Sequence, residues 1–276
     1  MFRGYLFKDY EIIDEVGRGG LGTIYKAKQP VLEREVALKV LHPGLDTHPV
    51  ERFWCGVKAL ASLKHPNIVN VYEAGTHEHI HFLSMEYIQG GSILDLLFMK
   101  TGLELPTIIP VFNKILKAID YMHQQGVLHR DLKITNVIVD KENNPHLIDF
   151  DIAKPIDLEV PPEERQFVIG TYYYMAPERI RMEGNSEQDP RVDVYSVGAM
   201  LYEILTGSPP YEENTKALVP TPDRKIKRPH EFNYNIPGEL DEICLKALAF
   251  KPDNRFQTAG EFSSALAEFL KKQQPL

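Results

Sequence analysis

Cysteine is nearly absent from this sequence: Cys55 and Cys244 are the only two in 276 residues. Two thiols are too few for a disulfide framework, so a reducing cytosol is the expected compartment. Long apolar runs are missing as well. None approaches the length needed to span a bilayer, and Met1-Phe2-Arg3-Gly4-Tyr5 lacks the apolar core of a signal peptide. A surplus of positive charge is also lacking. With 31 Lys and Arg against 39 Asp and Glu the net charge is -8, which argues against a role in coating nucleic acid. There is no internal repeat and no low-complexity tract. The polar end, Lys271-Lys272-Gln273-Gln274-Pro275-Leu276, would suit a linker into a longer protein, which could itself be membrane-tethered. What remains is a soluble globular composition, 43% hydrophobic and 25% charged, long enough for one large domain or two lobes.

The chemistry concentrates in one short loop between apolar runs. His129-Arg130-Asp131-Leu132-Lys133-Ile134-Thr135-Asn136 reads H-R-D-L-K-x-x-N, and Asp149-Phe150-Asp151 follows. Phosphoryl transfer needs a carboxylate to orient the attacking hydroxyl and oxygen ligands to hold Mg²⁺. Asp131 suits the first task. Asn136 and Asp149 suit the second, because Mg²⁺ prefers hard oxygen donors. Lys133 can neutralise charge on the moving phosphoryl group. Upstream, Glu11–Val16 and Thr23–Ala27 read as the arms of a β-hairpin whose turn, Gly17-Arg18-Gly19-Gly20-Leu21-Gly22, has the pattern G-x-G-x-x-G. Dinucleotide-binding folds share that spacing, but there the glycines open a helix. Here β-branched Thr23 and Ile24 continue as strand. Glycines at a hairpin tip let backbone N–H groups come close to phosphates. Val36-Ala37-Leu38-Lys39 follows, and strand alternation puts Ala37 and Lys39 on one face.

Together these motifs resemble the eukaryotic-like protein kinases, in the Ser/Thr branch, over residues 8–270. The Pro252-Asp253-Asn254-Arg255-Phe256-Gln257-Thr258-Ala259 ending is similar to bacterial members. The resemblance implies an α+β, bilobal protein kinase fold. A β-rich lobe with one main helix would span residues 1–89, and a mostly helical lobe 90–276. It also implies ATP and Mg²⁺ as cofactors, with Mn²⁺ as an alternative, and protein substrates, with self-association or autophosphorylation as further partner modes. The implied nucleotide site comprises Gly17, Arg18, Gly19, Gly20, Leu21, Gly22, Ile24, Ala37, Lys39, Met85, Glu86, Tyr87, Ile88 and Ile138. Lys39 reaches the α/β-phosphates and counts with Asp131 and Lys133 among the catalytic residues. Met85 lies at the back of the adenine pocket, Glu86-Tyr87-Ile88 is the hinge, and Ile138 packs under the base opposite Ala37. Asn136 and Asp149 are the metal ligands.

Further resemblances concern the helical lobe. Gly170-Thr171-Tyr172-Tyr173-Tyr174-Met175-Ala176-Pro177-Glu178 looks like the end of a kinase activation segment, with Thr171 beside the catalytic acid. No Ser or Thr occurs between Ile152 and Gly170. Arg130, which in the family meets a phosphate, could be met by Glu163 or Glu164, although a solvated acidic loop is the plainer reading of that pair. Asp193 is expected to cap the catalytic loop backbone, and Arg255 to pair with Glu178. The stripe Ile109, Phe112, Ile115, Leu116, Ile119 and Met122 is expected to be core, with Gly126 as the helix stop. Arg224, Lys225, Lys227 and Arg228 read as a solvated basic run. His77, His79 and His81 alternate, which suits a polar strand face far better than a metal site.

Two residues depart from the family pattern. A helix is expected over Glu51–Leu63, from apolar Phe53, Val57, Leu60 and Leu63. Counting back from Leu60, the acid that would pair with Lys39 belongs at position 56, which is Gly56. Glycine supplies no carboxylate and costs about 1 kcal/mol of helix propensity relative to alanine. Lys39 is then expected to be loosely held or held by Asp149 alone, and Gly56→Glu to restore part of the activity. Asp151 replaces the glycine that usually follows Asp-Phe, which is expected to alter the mobility of that segment or to add an acid beside the metals. Two functions fit: an active, atypical Ser/Thr protein kinase, and a pseudokinase that binds nucleotide and signals by shape. A small-molecule phosphotransferase is opposed by Ala176-Pro177-Glu178 and Arg255, which build a platform for protein substrates.

Overall fold

Alternating apolar residues in the first part of the chain produce strands with two different buried faces. A computed structural model describes residues 4–98, 105–158, 171–211, 221 and 225–273. Six strands form one antiparallel sheet: β1 (Leu6–Phe7), β2 (Tyr10–Arg18), β3 (Gly22–Gln29), β4 (Arg34–Leu41), β5 (Val71–His77) and β6 (Ile80–Glu86), in the order β1-β2-β3-β4-β6-β5. Helix α1 (Thr47–Ala61) crosses between β4 and β5. On β4, Val36 and Leu38 join Phe7, Tyr10, Ile12, Ala27 and Phe82 in a small cluster on one face. Ala37 and Leu41 point the other way, into a larger cluster with Phe53, Val57 and Leu60 of α1. Lys39 shares that second face, which is how a lysine becomes 6% exposed. At the mouth of the hairpin, a Cβ on Gly22 would lie 2.4 Å from the carbonyl oxygen of Val40. Glycine there lets β3 lie close against β4, quite apart from any contact with phosphate.

The change of sheet falls between Glu86 and Gly90. Strand β7 (Gly90–Ser92) pairs with a second sheet, and α2 (Ile93–Phe98) follows. Ser92 caps α2: its Oγ accepts from the Asp95 N–H at 3.1 Å, while the Asp95 carboxylate accepts from the Ser92 N–H at 2.8 Å. Helix α3 (Leu105–Gln124) buries all six residues of the predicted stripe and ends at Gly126, whose φ of 73° is left-handed. Strands β8 (Val127–Leu128), β9 (Val137–Asp140), β10 (Pro145–Leu147) and β11 (Lys154–Pro155) frame the catalytic loop, with sheet orders β10-β9-β7 and β11-β8. The short α4 (Pro177–Ile180), then α5 (Arg191–Thr206), α6 (Gly238–Ala247) and α7 (Ala259–Gln273) complete the lobe. Helix α5 is buried on nearly every side, as its almost continuous apolar sequence requires. The architecture is the expected bilobal α+β fold.

Two minor expectations resolve here. His77 packs edge-on against Phe7, His81 packs against Trp54 and bonds Thr76, and His79 sits in the turn with positive φ. His77 and His81 therefore face opposite sides of the sheet, and with His79 in the turn the three do not share the strand face their alternation suggested. Among the described residues no group of His, Cys, Asp or Glu is placed to hold a metal ion. No helix among the described residues is long and apolar enough to cross a membrane.

Candidate active site

The catalytic loop is built from its backbone outward. Asp193, at the start of α5 and fully buried, accepts from the backbone N–H of His129 and of Arg130, both at 2.9 Å, and from His123 Nε2 at 2.9 Å. Burial alone would push its carboxyl up, yet these donors outweigh burial and hold it below the usual carboxylate range. The loop needs this anchor because Arg130 sits at a φ of 68°, a conformation that costs energy for a side chain other than glycine. His129 is buried, and burial holds its imidazole below the ordinary histidine range. Its ring packs at a 41° tilt against Phe150 with centroids 4.8 Å apart, linking this loop to Asp149-Phe150-Asp151.

Around Asp131 the polar contacts converge from three places in the chain. Lys133 Nζ donates to Asp131 Oδ2 at 2.8 Å. The backbone N–H and hydroxyl of Thr171, forty residues on, donate to Asp131 Oδ1, each at 3.1 Å. Asn136 Nδ2 donates to the Asp131 carbonyl at 2.9 Å, which fixes the amide with its oxygen available on the other side. Lys133 Nζ also reaches the Thr171 hydroxyl at 3.4 Å. The set therefore combines a carboxylate, an ammonium and a hydroxyl within one hydrogen-bonded group.

The nucleotide side is built around Lys39. Its Nζ ion-pairs with Asp149 Oδ1 at 3.2 Å and, more closely, with Asp151 Oδ1. Burial opposes the charge on Lys39, but the two carboxylates outweigh it and hold the ammonium above its ordinary range. For Asp149 the attraction of Lys39 overcomes burial and keeps the carboxyl low. For Asp151, burial and then the neighbouring Asp149 push the carboxyl up to about 6, against the pull of Lys39. Ile24, Lys39, Met85 and Asp149 line one small pocket with Gly56, Phe150 and Asp151. Ala37 and Met85 are register partners on β4 and β6, and Ile138 packs against the same apolar cluster. At the end of β6, Glu86 donates its N–H to the Asn70 carbonyl at 2.9 Å; beyond it Tyr87 lies under Lys26, and Ile88 is buried. The glycine turn is closed by the Gly19 N–H donating to Gly22 O at 2.9 Å, and Arg18 pairs with Glu15 beside it.

The expectation for Gly56 is overturned. Lys39 is not loosely held, and Asp149 does not hold it alone. Helix α1 lies so close to the Phe150 segment that a Cβ on Gly56 would sit 2.0 Å from the Phe150 carbonyl oxygen. A glutamate there meets backbone, so Gly56→Glu cannot restore a pair in this arrangement. Asp151 has no positive φ, so it occupies ordinary backbone, and its carboxylate is used on Lys39 beside Asp149. The sequence held a signal for this, since the helix loses an acid and the Asp-Phe segment gains one.

One residue had no such signal. Arg130 and Arg179 converge on Glu187, with Arg130 Nη1 at 2.5 Å and Arg179 Nε at 3.2 Å from its carboxylate. Glu163, Glu164, Gly170 and Arg224, named from the sequence, lie outside the described residues. Arg255 donates to both oxygens of Glu178 at 2.7 Å, the bidentate pair expected.

A family model described as the protein kinase domain matches residues 10–269. The chain is 34% identical over 266 residues to a probable serine/threonine-protein kinase, CPE1738, of Clostridium perfringens, covering 95% of this chain and 38% of that protein. It is 34% identical over 285 residues to the serine/threonine-protein kinase PknB of Mycobacterium leprae, covering 98% of this chain and 44% of that one. PknB of Mycobacterium tuberculosis matches at 34% over 277 residues. The chain thus spans about two fifths of the length of these curated relatives. A match that runs through both lobes and takes in the loop around Asp131 places the chain in the protein kinase family.

Proposed function

We propose that this chain transfers the γ-phosphoryl group of ATP to serine and threonine hydroxyls of proteins. The observation that carries the reading is the convergence on Asp131 of Lys133, Thr171 and Asn136, with Asp149 and Lys39 paired nearby. Asp131 accepts a hydrogen bond from the attacking hydroxyl, aims its oxygen at the γ-phosphorus and receives its proton as the new O–P bond forms. The bond from the γ-phosphorus to the bridging oxygen breaks, and ADP departs. Lys133 sits beside Asp131 and balances charge on the equatorial oxygens. In this reading residues 1–89 supply the nucleotide lobe and 90–276 the catalytic and substrate lobe. The glycine turn from Gly17 to Gly22 covers the phosphates, and Ala37, Met85 and Ile138 enclose the base.

The donor set suits a hard divalent cation. Asn136 offers an amide oxygen whose nitrogen is already engaged, and Asp149 offers a carboxylate held ionised. Bound there, Mg²⁺ or Mn²⁺ would neutralise the β- and γ-oxygens. A protein substrate is supported by the Glu178–Arg255 pair, which braces the segment after Thr171, and by the names of the relatives.

The test is transfer of labelled γ-phosphate to the protein itself and to a generic Ser/Thr substrate, with Mg²⁺ and separately with Mn²⁺. Transfer abolished by Asp131→Asn is the expected result. Nucleotide binding without transfer would favour the second reading, a pseudokinase, which the engagement of Lys39 by both carboxylates also suits.

A further inference from the structure

A lysine that binds nucleotide phosphates must be aimed, and in this chain helix α1 contributes nothing charged to the task. Glu51, the acid at the front of α1, is exposed and lies 3.7 Å from His48. Gly56 is buried, at the point where the helix meets the Phe150 carbonyl. The carboxylates on Lys39 come instead from one three-residue segment, Asp149 and Asp151.

Donor counting separates the roles of these two acids. An ammonium has three N–H donors. Two are directed at Asp149 and Asp151, which leaves one for a phosphate oxygen. Asp149 is the more distant partner, at 3.2 Å, and it is also the acid suited to a cation. Once it turns to that cation, Asp151 is the remaining acid on Lys39. The geometry at Gly56 makes this arrangement feasible. Any side chain there would push α1 and the Phe150 carbonyl apart, since a Cβ would approach that oxygen to 2.0 Å and the Asp151 carbonyl carbon to 3.6 Å.

We propose that Asp151 is the positioning residue for Lys39 and that Gly56 is its steric complement. The carboxylate has moved from the helix to the residue after Phe150, and the glycine has moved the other way. Lys39 is thereby held by the segment that also carries the metal-binding acid, and α1 acts on it through shape rather than charge. This inference rests on the proposed phosphoryl-transfer reading for what Lys39 does with phosphate. The pairing itself is testable without activity.

The experiment uses the whole chain, as wild type and as Asp151→Asn, Lys39→Met, Lys39→Met/Asp151→Asn, Gly56→Glu and Gly56→Glu/Asp151→Gly. Binding of ATP, ADP and adenosine is titrated and thermal melting recorded for each. Asp151→Asn is expected to weaken ATP and ADP by about tenfold while adenosine binds as before, because only phosphate depends on an aimed Lys39. It is expected to lower the melting temperature in the wild type and raise it in Lys39→Met, where Asp149 and Asp151 repel each other unpaired. Gly56→Glu should bind ATP poorly, and Gly56→Glu/Asp151→Gly should bind it better than Gly56→Glu alone, since glycine relaxes the segment and leaves Lys39 to Glu at position 56. Equal losses for ATP and adenosine, no loss for either, or melting shifts of the same sign in both Lys39 backgrounds would overturn the role of Asp151. A double variant no better than Gly56→Glu would overturn the exchange. A wild type that transfers no phosphate would sink the proposed activity and leave the melting result standing.

Discussion

Glu187 lies between Arg130 and Arg179, with its carboxylate 2.5 Å from one guanidinium and 3.2 Å from the other. Arg130 belongs to the catalytic loop and also donates to the Ile152 carbonyl at 2.9 Å. Arg179 donates to the Arg130 carbonyl. A single carboxylate thus ties the loop around Asp131 to Arg179 of helix α4 and to the segment that follows it. Both arginine side chains are buried, so loss of the shared anion takes a counter-charge from each of them. Glu187→Gln is expected to destabilise the fold by about 2 kcal/mol, a discount on the usual cost because Glu187 is itself partly exposed. Denaturant unfolding of the two proteins measures this. A difference under about 0.5 kcal/mol would show that the pairing is incidental.

The same contact carries a pH signature. Burial would raise the Glu187 carboxyl, but Arg179, Arg130 and Lys154 together hold it below the ordinary glutamate range. A folded value below the unfolded one gives stability that is complete above the unfolded value, about 4.3, and lost as pH falls through the folded value. The gap in stability between wild type and Glu187→Gln should therefore be full at pH 7 and narrow as the medium is taken below about pH 4. Unfolding curves at several pH values test it, and a gap that widens on acidification would reverse the assignment.

Much of this was legible in the sequence because it is written in local patterns. The hairpin over β2 and β3, the α3 stripe and the Gly126 stop all follow from alternation, 3.6-residue spacing and glycine's conformational freedom. The loop from His129 to Asn136 was readable because its residue types and order are tied to one chemistry. The contacts that were not readable depend on how separate elements approach. Asp151 reaches Lys39 where α1 lies against Phe150, and no spacing rule encodes that approach. Glu187 sits in a polar stretch between Asn185 and Asp189 that reads as ordinary loop, and its partners lie eight and fifty-seven residues away. Gly22 read as a phosphate glycine, and the structure gives it a packing task as well.

Thr171 offers a kinetic prediction. Its hydroxyl donates to Asp131 Oδ1 at 3.1 Å and stands 3.4 Å from Lys133 Nζ, so it fixes the rotamer of the proposed base. Thr171→Val keeps the shape and removes the hydroxyl. We expect kcat for protein substrate to fall by about tenfold, with ATP affinity unchanged, and Thr171→Ser to keep most of the activity. Steady-state kinetics with ATP and peptide varied separately would measure this. An equal loss in Thr171→Ser would point to packing of the methyl group instead.

The Glu178–Arg255 pair allows the sharpest test of what a buried ion pair contributes. Arg255 Nη1 and Nη2 each donate to Glu178 at 2.7 Å, and the same guanidinium donates to the carbonyls of Ala249, Phe250 and Arg191. Its ring-stacking neighbour is Tyr195, with the guanidinium 4.9 Å from the ring centre. Lysine cannot reproduce that fork, so Arg255→Lys is expected to cost about 3 kcal/mol despite keeping the charge. Glu178→Gln should cost a similar amount by leaving the guanidinium without its anion. Arg255→Met/Glu178→Leu removes both charges and fills most of the same volume. It should cost less than the sum of Arg255→Met and Glu178→Leu by at least about 1 kcal/mol, because each single change alone strands one buried charge. Strict additivity in the unfolding free energies would mean that the two side chains stabilise the fold through separate contacts, the carbonyls for Arg255 and helix α4 for Glu178.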